Sequence, residues 1–227
     1  MKLVHRLLAS AAFALSIAAC APSAWSDEPA QVLPMPAADS AASHDVRQTA
    51  VLAGGCFWGL EGVFEHVHGV ISVRSGYAGG DASHATYDEV STGMTGNAES
   101  VEIVFDPRVI SYGQILRIYF SVATDPTQLN RQGPDSGTQY RGNIFTVNAD
   151  QARIARAYIA QLTAAHAFSR PIVTRIDALQ RFVPAEAYHQ NYLSLHPDQP
   201  YIAFNDMPKL RNLQRLYPNY YTEARVS

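Results

Sequence analysis

Cys56 is the residue whose type and surroundings most clearly predict chemistry, because it stands in the sequence Gly-Gly-Cys-Phe-Trp-Gly at residues 54–59. An apolar run at residues 50–53 precedes it, and apolar residues at helical spacing follow it. The pattern places Cys56 at a helix N-terminus, where free backbone N–H groups and the helix dipole favour a thiolate, the nucleophilic form. Phe57 and Trp58 would offer apolar surface beside the sulfur. The alternative is an inert cysteine that is buried only for packing.

Glu99 is a second candidate, at the start of a predicted strand over residues 99–105. Alternation places it on the same face as the apolar side chains of Val101, Ile103 and Phe105. The charged form of a carboxyl group is disfavoured on such a face, so its pKa rises and it can act as a general acid at neutral pH. A first strand position can equally reach solvent, and alternation alone leaves both placements open.

The elements that must position these residues mix helices with strands. This mixture predicts an α+β or α/β domain in which helices pack on a mixed sheet, joined by long coil segments. The longest coil covers residues 125–140, and polar loops of that length are usually functional or disordered. The sequence predicts strands over residues 70–77, 99–105, 144–147 and 171–176, and helices over residues 111–123, 185–195 and 201–220. Two further helices are predicted, one that follows Cys56 with an apolar stripe to Val67 and one that Asn148 caps with a stripe to Leu162.

Residues 1–20 have the pattern of an export signal, with Lys2 and Arg6 before an apolar run that is too short to span a membrane. The sequence Ile-Ala-Ala-Cys at residues 17–20 is similar to a bacterial lipobox, in which the cysteine becomes the lipidated first residue. Cleavage after Ser26 is the alternative. We favour the lipobox, and we expect an exported protein of the periplasm or cell envelope, with a lipid anchor at Cys20 as its one link to the membrane.

Residues 21–46 are rich in Ala, Pro and Ser and predict a flexible tether, which leaves residues 47–227 as one domain. Removal of residues 1–20 takes two of the 17 basic residues and none of the 20 acidic ones, so the formal charge moves from −3 to −5. The sequence has no basic cluster, which argues against a nucleic-acid partner. Without Cys20, Cys56 has no partner cysteine, and a free thiol in an exported domain favours a reactive role.

An ordered set of short motifs resembles the A-type peptide methionine sulfoxide reductases over roughly residues 48–200. The sequence Gly-Cys-Phe-Trp-Gly at residues 55–59 is the hallmark of that family. One such motif is weak, whereas the ordered set is specific. The other motifs are Gly-Tyr-Ala-Gly-Gly at 76–80, Tyr-Asp-Glu-Val at 87–90, Gly-Asn-Ala-Glu at 96–99, Asp-Pro at 106–107, Asp-Pro-Thr at 125–127, Arg-Gln-Gly-Pro-Asp at 131–135 and Gly-Thr-Gln-Tyr-Arg at 137–141.

The resemblance implies a two-layer α/β sandwich with a ferredoxin-like core. It implies thiol-dependent reduction of the S epimer of methionine sulfoxide, free or in proteins, as a repair reaction without a metal or bound organic cofactor. Cys56 would attack the sulfoxide sulfur and become a sulfenic acid, while Glu99 protonates the sulfoxide oxygen. The implied substrate contacts are hydrogen bonds from Tyr87 and Tyr140 to that oxygen, Phe57 and Trp58 around the methyl group, and Asp135 at the pocket wall.

Three positions depart from the family pattern. Many relatives carry recycling cysteines near the C-terminus, whereas residues 195–227 contain none. We therefore expect an external thiol or a thioredoxin-like partner to reduce the oxidised Cys56 directly, and we expect the protein to be a monomer. Thr124 and Asn97 stand where relatives often have His, which affects fine tuning rather than the reaction.

Two other function classes stay open. A cysteine hydrolase or thiol peroxidase would also use Cys56, but a hydrolase needs a histidine base, and the spacing of His66, His68 and His189 marks none of them. His189 could orient a group at the site, although such a histidine is more often a hydrogen-bonded structural residue. A lipoprotein binding module with Trp58 in its cleft would not need Cys56, so Cys56→Ser separates it from an enzyme.

Overall fold

The structure is a computed structural model that describes residues 29–40 and 45–226. The predicted export signal and the lipidation candidate Cys20 lie outside the described residues. Within these two ranges, eight strands form a six-stranded sheet and a separate short hairpin. The sheet contains β1 (Gln48–Ala53), β2 (Val70–Ala78), β3 (Ala98–Phe105), β6 (Asn143–Thr146), β7 (Arg175–Ala178) and β8 (Phe182–Pro184), and the hairpin is β4 (Arg131–Gln132) with β5 (Asp135–Ser136).

Helices cover one face of the sheet and the ends of several strands. Within the described ranges, none of them combines the length and the apolar character that a membrane span requires. The α-helices are α1 (Phe57–Glu65), α2 (Tyr87–Val90), α3 (Tyr112–Ile118), α4 (Ala149–Ala164), α5 (Tyr192–Leu195) and α6 (Met207–Leu216). Turns of 3₁₀-helix lie at Ala82–His84, Thr138–Tyr140 and Ala187–His189, and π-helical turns at Tyr119–Ala123 and Ile202–Asp206.

The strand order in the sheet is β7-β6-β1-β3-β2-β8. Only the β6–β7 pair is parallel, and all the other neighbours are antiparallel. β1 lies at the centre, so the chain that leaves its C-terminal end reaches α1 in the middle of the molecule. The α+β architecture with helices packed on a mixed sheet, which the sequence predicted, is confirmed.

Alternation along β1 divides the core in two. Ala50 and Leu52 face the large apolar core under the helices, which also holds Val101 and Ile103 of β3. On the opposite face, a small second cluster contains Val51, Ala53, Ala78, Ala98 and Phe145. The side chain of Glu99 follows Ala98 in this alternation and therefore points toward the large core.

Two predicted elements differ from the structure. A strand was predicted over residues 171–176, whereas the structure has β7 at Arg175–Ala178, where it pairs with β6. The helix predicted over residues 185–195 is interrupted, because Asn191 has a φ of 57° and donates its backbone N–H to Glu61 Oε2 at 2.9 Å. Both differences arise from tertiary contacts that outweigh local sequence preference.

Residues 29–40, which we call the N-terminal strap, pack against the helices. The flexible tether predicted for residues 21–46 therefore does not extend over them. Leu33 is 1% exposed, its N–H donates to the Tyr217 hydroxyl at 3.1 Å, and its carbonyl accepts from Arg117 Nε at 2.6 Å. At the far end of the strap, Asp39 Oδ1 accepts from the Gly113 N–H at 2.9 Å. Its composition does not predict this packing, because the hydrogen bonds of its backbone are made by side chains of helices that are distant in sequence.

Candidate active site

Cys56 lies at the turn between β1 and α1, where the sequence predicted it, and it is the N-cap residue of α1. Gly55 makes this turn possible, because its φ of 95° suits glycine and a Cβ atom there would lie 2.6 Å from the side chain of Gln132. Gln132 is fixed in turn by Thr124, whose hydroxyl donates to its side-chain oxygen at 2.5 Å. The hairpin of β4 and β5 thus packs directly against the residue before the cysteine.

The thiol of Cys56 is free and 7% exposed. Burial raises its pKa well above the usual value, and the charges of Glu99 and Asp206 raise the pKa further. The backbone N–H of Trp58 and the ammonium group of Lys209 act in the opposite direction. The prediction that the helix N-terminus favours a thiolate is therefore wrong for the resting site, because desolvation and two carboxyl groups outweigh the helix.

Glu99 is 3% exposed, which excludes the open alternative that its side chain reaches solvent. Its Oε2 accepts the backbone N–H of Phe57 at 3.0 Å, and both this hydrogen bond and the nearby Cys56 thiol lower the pKa of the carboxyl group. Burial raises the pKa of Glu99 to about 8, with further contributions from Asp135 and Asp206. The predicted direction of this shift is confirmed, and most of the Glu99 side chains carry a proton at neutral pH.

Phe57 and Trp58 lie in a cluster of rings beside the cysteine. Phe57 is buried, whereas Trp58 is half-buried and stacks on Tyr192 with 3.9 Å between ring centroids and 11° between planes. Tyr201 meets Trp58 edge-on at 6.1 Å. Trp58 is thus held on two sides by residues of the C-terminal segment, so its position does not depend on its own helix alone.

The other predicted substrate contacts surround the same point. Burial raises the pKa of Tyr87 and of Tyr140, and the charges of Glu99 and Cys56 raise both pKa values further, so both phenols stay protonated. Asp135 accepts a short hydrogen bond from the Tyr201 hydroxyl. The structure therefore brings the predicted residues of four separate segments together.

His189 is a packing residue in this structure. Its ring lies 4.4 Å from Tyr87, 5.1 Å from Phe57 and 4.2 Å from Tyr188, measured between centroids. Neither ring nitrogen has a hydrogen-bond partner among the described residues, and burial lowers its pKa. The hydrogen-bonded role is therefore not observed, and no carboxylate orients His189 as a hydrolase base would require, because Glu186 is 4.0 Å from Nε2.

Sequence reasoning missed three residues that complete the site. Glu186 accepts the Tyr77 hydroxyl at 3.0 Å and the backbone N–H of Tyr87 at 2.9 Å, so it anchors the start of α2. Asp206 is 0% exposed, and its Oδ1 lies 3.1 Å from Lys209 Nζ. The π-helical turn and α6 carry both members of this pair. They lie far along the chain from Cys56, where no local pattern connects them to it.

A polar cavity of about 240 Å³ adjoins the site. Its lining includes Asp135 and Tyr201, which also belong to the site, together with Lys209, Phe204 and Pro134. In residues 29–40 and 45–226, no group of three or more His, Cys, Asp or Glu side chains is arranged to hold a metal ion.

Comparison with known proteins identifies the class of this site. The family described as "Peptide methionine sulfoxide reductase" matches residues 48–220. The chain is 56% identical over 179 residues to peptide methionine sulfoxide reductase MsrA 2 of Mesorhizobium japonicum, covering 79% of this chain and 92% of that protein. It is 48% identical over 190 residues to MsrA 2 of Synechocystis sp., and the match covers 82% of this chain and 89% of that protein.

Solved structures agree with the sequence relatives. Methionine sulfoxide reductase A of Corynebacterium diphtheriae is 33% identical with a TM-score of 0.57, covering 74% of this chain and 85% of that one. Reduced Mxr1 from Saccharomyces cerevisiae is 30% identical with a TM-score of 0.61, and the match covers 70% of this chain and 91% of that one. The chain belongs to the A-type peptide methionine sulfoxide reductase family. Its activity is that of a thiol-dependent peptide-methionine (S)-S-oxide reductase, a repair enzyme for oxidised proteins.

Proposed function

We propose that Cys56 and Glu99 together carry out the reduction of the S epimer of methionine sulfoxide, free or in proteins. The observation that carries this proposal is the buried position of Glu99 beside the nucleophile, where its carboxyl group accepts the N–H of Phe57, the residue that follows Cys56. A nucleophile and a carboxyl group with a pKa near 8 thus meet at one point. That pairing suits a reaction that needs attack and protonation at adjacent atoms.

In the proposed step, Cys56 Sγ attacks the sulfoxide sulfur while Glu99 gives its proton to the sulfoxide oxygen, and the thiol proton returns to Glu99. The oxygen moves to Sγ, which gives methionine and a Cys56 sulfenic acid. Sulfur of the substrate is reduced and sulfur of the enzyme is oxidised, so no other reactant is needed in this step. Protonation matters because an unprotonated sulfoxide oxygen is a poor leaving group.

The surrounding side chains suit the two ends of a methyl sulfoxide. Tyr87 and Tyr140 remain protonated at the edge of the Glu99 carboxyl group, so both can donate to the sulfoxide oxygen. Trp58 and Phe57 present apolar rings to the methyl group. Asp135, held by Tyr201, forms the wall between this pocket and the neighbouring cavity.

An external thiol completes the cycle. Two thiols reduce the sulfenic acid, which gives a disulfide, water and the free Cys56 thiol. We propose a thioredoxin-like protein as the donor, because residues 195–227 of the sequence hold no cysteine that could reduce Cys56 from within. We expect a monomer exported to the periplasm or cell envelope, and the lipobox-like residues 17–20 support an anchor at Cys20.

We also propose that strands β6-β1-β3-β2 form a ferredoxin-like core. Two features support this assignment, namely the antiparallel order of these four strands and the positions of α1 between β1 and β2 and of α3 between β3 and β6. β7 and β8 then extend the two edges of that core.

The purified protein should be incubated with each epimer of methionine sulfoxide and excess dithiothreitol, with methionine measured by chromatography. We expect turnover of the S epimer only, loss of turnover in Cys56→Ser, and a large decrease in Glu99→Gln. Glu102→Gln is the matched control, because Glu102 lies on the same strand and pairs with Arg74 at the surface. No turnover of either epimer by folded protein would contradict the function, and an unchanged rate in Glu99→Gln would contradict the role of the acid.

A further inference from the structure

Lysine is almost absent from this sequence. Lys2 and Lys209 are the only two lysines, and every other basic residue is an arginine. Lys2 lies in the predicted export signal, so Lys209 is the one lysine of the described part of the chain. A chain whose other basic residues are arginines has therefore kept a single lysine, at a half-buried position where its charge acts on the cysteine.

The position of Lys209 is set by contacts with two helices. Its Nζ lies 3.1 Å from Asp206 Oδ1, and the carboxyl group of Asp206 is fully buried. A Cβ atom on Gly59 would lie 2.9 Å from Lys209 Nζ and 2.2 Å from Asp206 Oδ1. The pair therefore packs against the first turn of α1, three residues beyond Cys56. The close approach requires glycine at position 59.

The charged groups around Cys56 are mostly acidic. Glu99 faces the thiol from β3, Asp206 from the turn before α6, and Asp135 approaches from β5. Tyr87, Tyr140 and Tyr201 also surround it, and they are neutral. Lys209 is the cation that acts on the thiol among the described residues. Burial alone would lower the pKa of its ammonium group, but Asp206 raises it above its usual value, so Lys209 keeps its charge.

We propose that Lys209 is a positioning residue of the reductase site. Asp206 holds its ammonium group against the first turn of α1, where the positive charge offsets the negative charge that develops on Cys56 Sγ as the thiol loses its proton. Without this cation, the thiolate would form among carboxyl groups alone. The inference rests on the proposed function, because it takes Cys56 as the nucleophile. Asp206 has the opposite effect on the thiol and serves to hold Lys209 in place.

The test is the rate of alkylation of Cys56 by iodoacetamide as a function of pH, which needs no sulfoxide. We expect Lys209→Met to shift the profile to higher pH and to slow alkylation at pH 8 by roughly tenfold, a size typical of a partly buried charge. Lys209→Arg should recover part of the rate. Asp206→Asn should shift the profile to lower pH, because it removes a negative charge and leaves Lys209.

The opposite signs separate an electrostatic role from a structural one. If Lys209 only stabilised the fold, breaking the pair from either side would shift the profile in the same direction, and that result would overturn the proposal. An unshifted profile in Lys209→Met would also overturn it.

If Lys209→Met does not fold, folded Lys2→Arg protein can be acetylated or reductively methylated at Lys209. Acetylation, which removes the charge, should slow alkylation, whereas methylation, which keeps it, should not. Equal rates would also overturn the proposal. Turnover of the sulfoxide by unmodified protein reports separately on the proposed function.

Discussion

Glu99 shows how one carboxyl group acquires the chemistry of an acid. It occupies an alternation position that otherwise belongs to Val101, Ile103 and Phe105, and that apolar face raises its pKa to about 8. The hydrogen bond from the Phe57 N–H keeps the shift from being larger. The group is therefore protonated when substrate arrives at neutral pH, and it can lose its proton to the substrate without a large energetic penalty.

A pH dependence follows at this scale. Because the proposed step uses the protonated form of Glu99, kcat/KM for the S epimer should fall as pH rises through about 8. Glu99→Gln should lower kcat/KM by about 100-fold or more and should lose this alkaline decrease. Steady-state rates between pH 6 and 10 would measure both effects, with Glu102→Gln as control. An alkaline decrease that persists unchanged in Glu99→Gln would show that another group titrates.

The residues of the site divide by how they could be predicted. Cys56 and Glu99 were accessible from sequence, because a glycine-flanked turn marks Cys56, and the family resemblance selected one of the two placements of Glu99 that alternation left open. Asp206 and Lys209 were not, since their function depends on α6 packing against α1. The prediction of a thiolate at Cys56 was wrong for a related reason. The effect of the helix on the thiol is local, whereas the desolvation that opposes it comes from the whole site.

At the scale of elements, the N-terminal strap stabilises the helical layer. Its residue Leu33 is buried, and its backbone is hydrogen-bonded to Arg117 of α3 and to Tyr217 at the end of α6. Gln161 of α4 also binds the strap, accepting from the Ala37 N–H at 2.8 Å and donating to the Met35 carbonyl at 2.8 Å. The strap thus joins three elements that are distant in sequence.

Truncation of the buried strap residue should be costly. We expect Leu33→Ala to lower the free energy of unfolding by about 2–5 kcal/mol, the range for a large-to-small change in a core. The neighbouring Val32 is 56% exposed, so Val32→Ala should change the free energy of unfolding by less than about 0.5 kcal/mol. Urea unfolding monitored by circular dichroism would compare them, and equal effects would show that the strap does not contribute to the fold.

A second element-scale prediction concerns the anchor of α2. Glu186 holds the Tyr87 backbone, so Glu186→Ala should displace the Tyr87 hydroxyl and raise KM several-fold with little change in unfolding temperature. The effect should largely disappear in a Tyr87→Phe background, because both residues would act through the one proposed hydrogen bond from Tyr87 to substrate. Glu89→Gln is the control, since Glu89 lies on the same helix and binds His84 at the surface. Additive effects of the two substitutions would contradict the coupling.

Element prediction succeeded where periodicity was strong and failed where tertiary contacts redirect the chain. The stripe of α1, which includes Leu60, Val63 and Phe64, lies in the core as expected. The interrupted helix over residues 185–195 was not predictable, because the left-handed conformation of Asn191 is stabilised by Glu61 from another helix. The same holds for the strap, whose composition is that of a linker.

At the scale of the whole molecule, two buried carboxyl groups on α1 link stability to pH. Burial raises the pKa of Glu61 to about 8 and that of Glu65 to about 7. Glu61 accepts from backbone N–H groups of Ser75 and Asn191, and Glu65 accepts from the Ser194 hydroxyl. Both carboxyl groups bind more protons in the folded state than in the unfolded state between about pH 5 and 8.

The free energy of unfolding should therefore decrease as pH rises from about 5 to about 8, since each unit of raised pKa contributes about 1.4 kcal/mol that is lost when the folded group ionises. Glu61→Gln should flatten this decrease, because the amide does not titrate. Denaturant unfolding at a series of pH values would measure the slope. Glu223→Gln, at an exposed position, is the control, and a slope that is identical in Glu61→Gln and the unchanged protein would contradict the assignment.

The packing of α6 against Gly59 has a consequence for the order of events in folding. The two contacting segments are separated by about 150 residues, and contacts between distant segments form late because closing a long loop costs entropy. The cysteine is synthesised well before the aspartate and lysine that will pack beside it. Until the last helix docks, Cys56 is an ordinary accessible thiol, and the newly made chain is most vulnerable to the same oxidants whose damage the finished enzyme repairs.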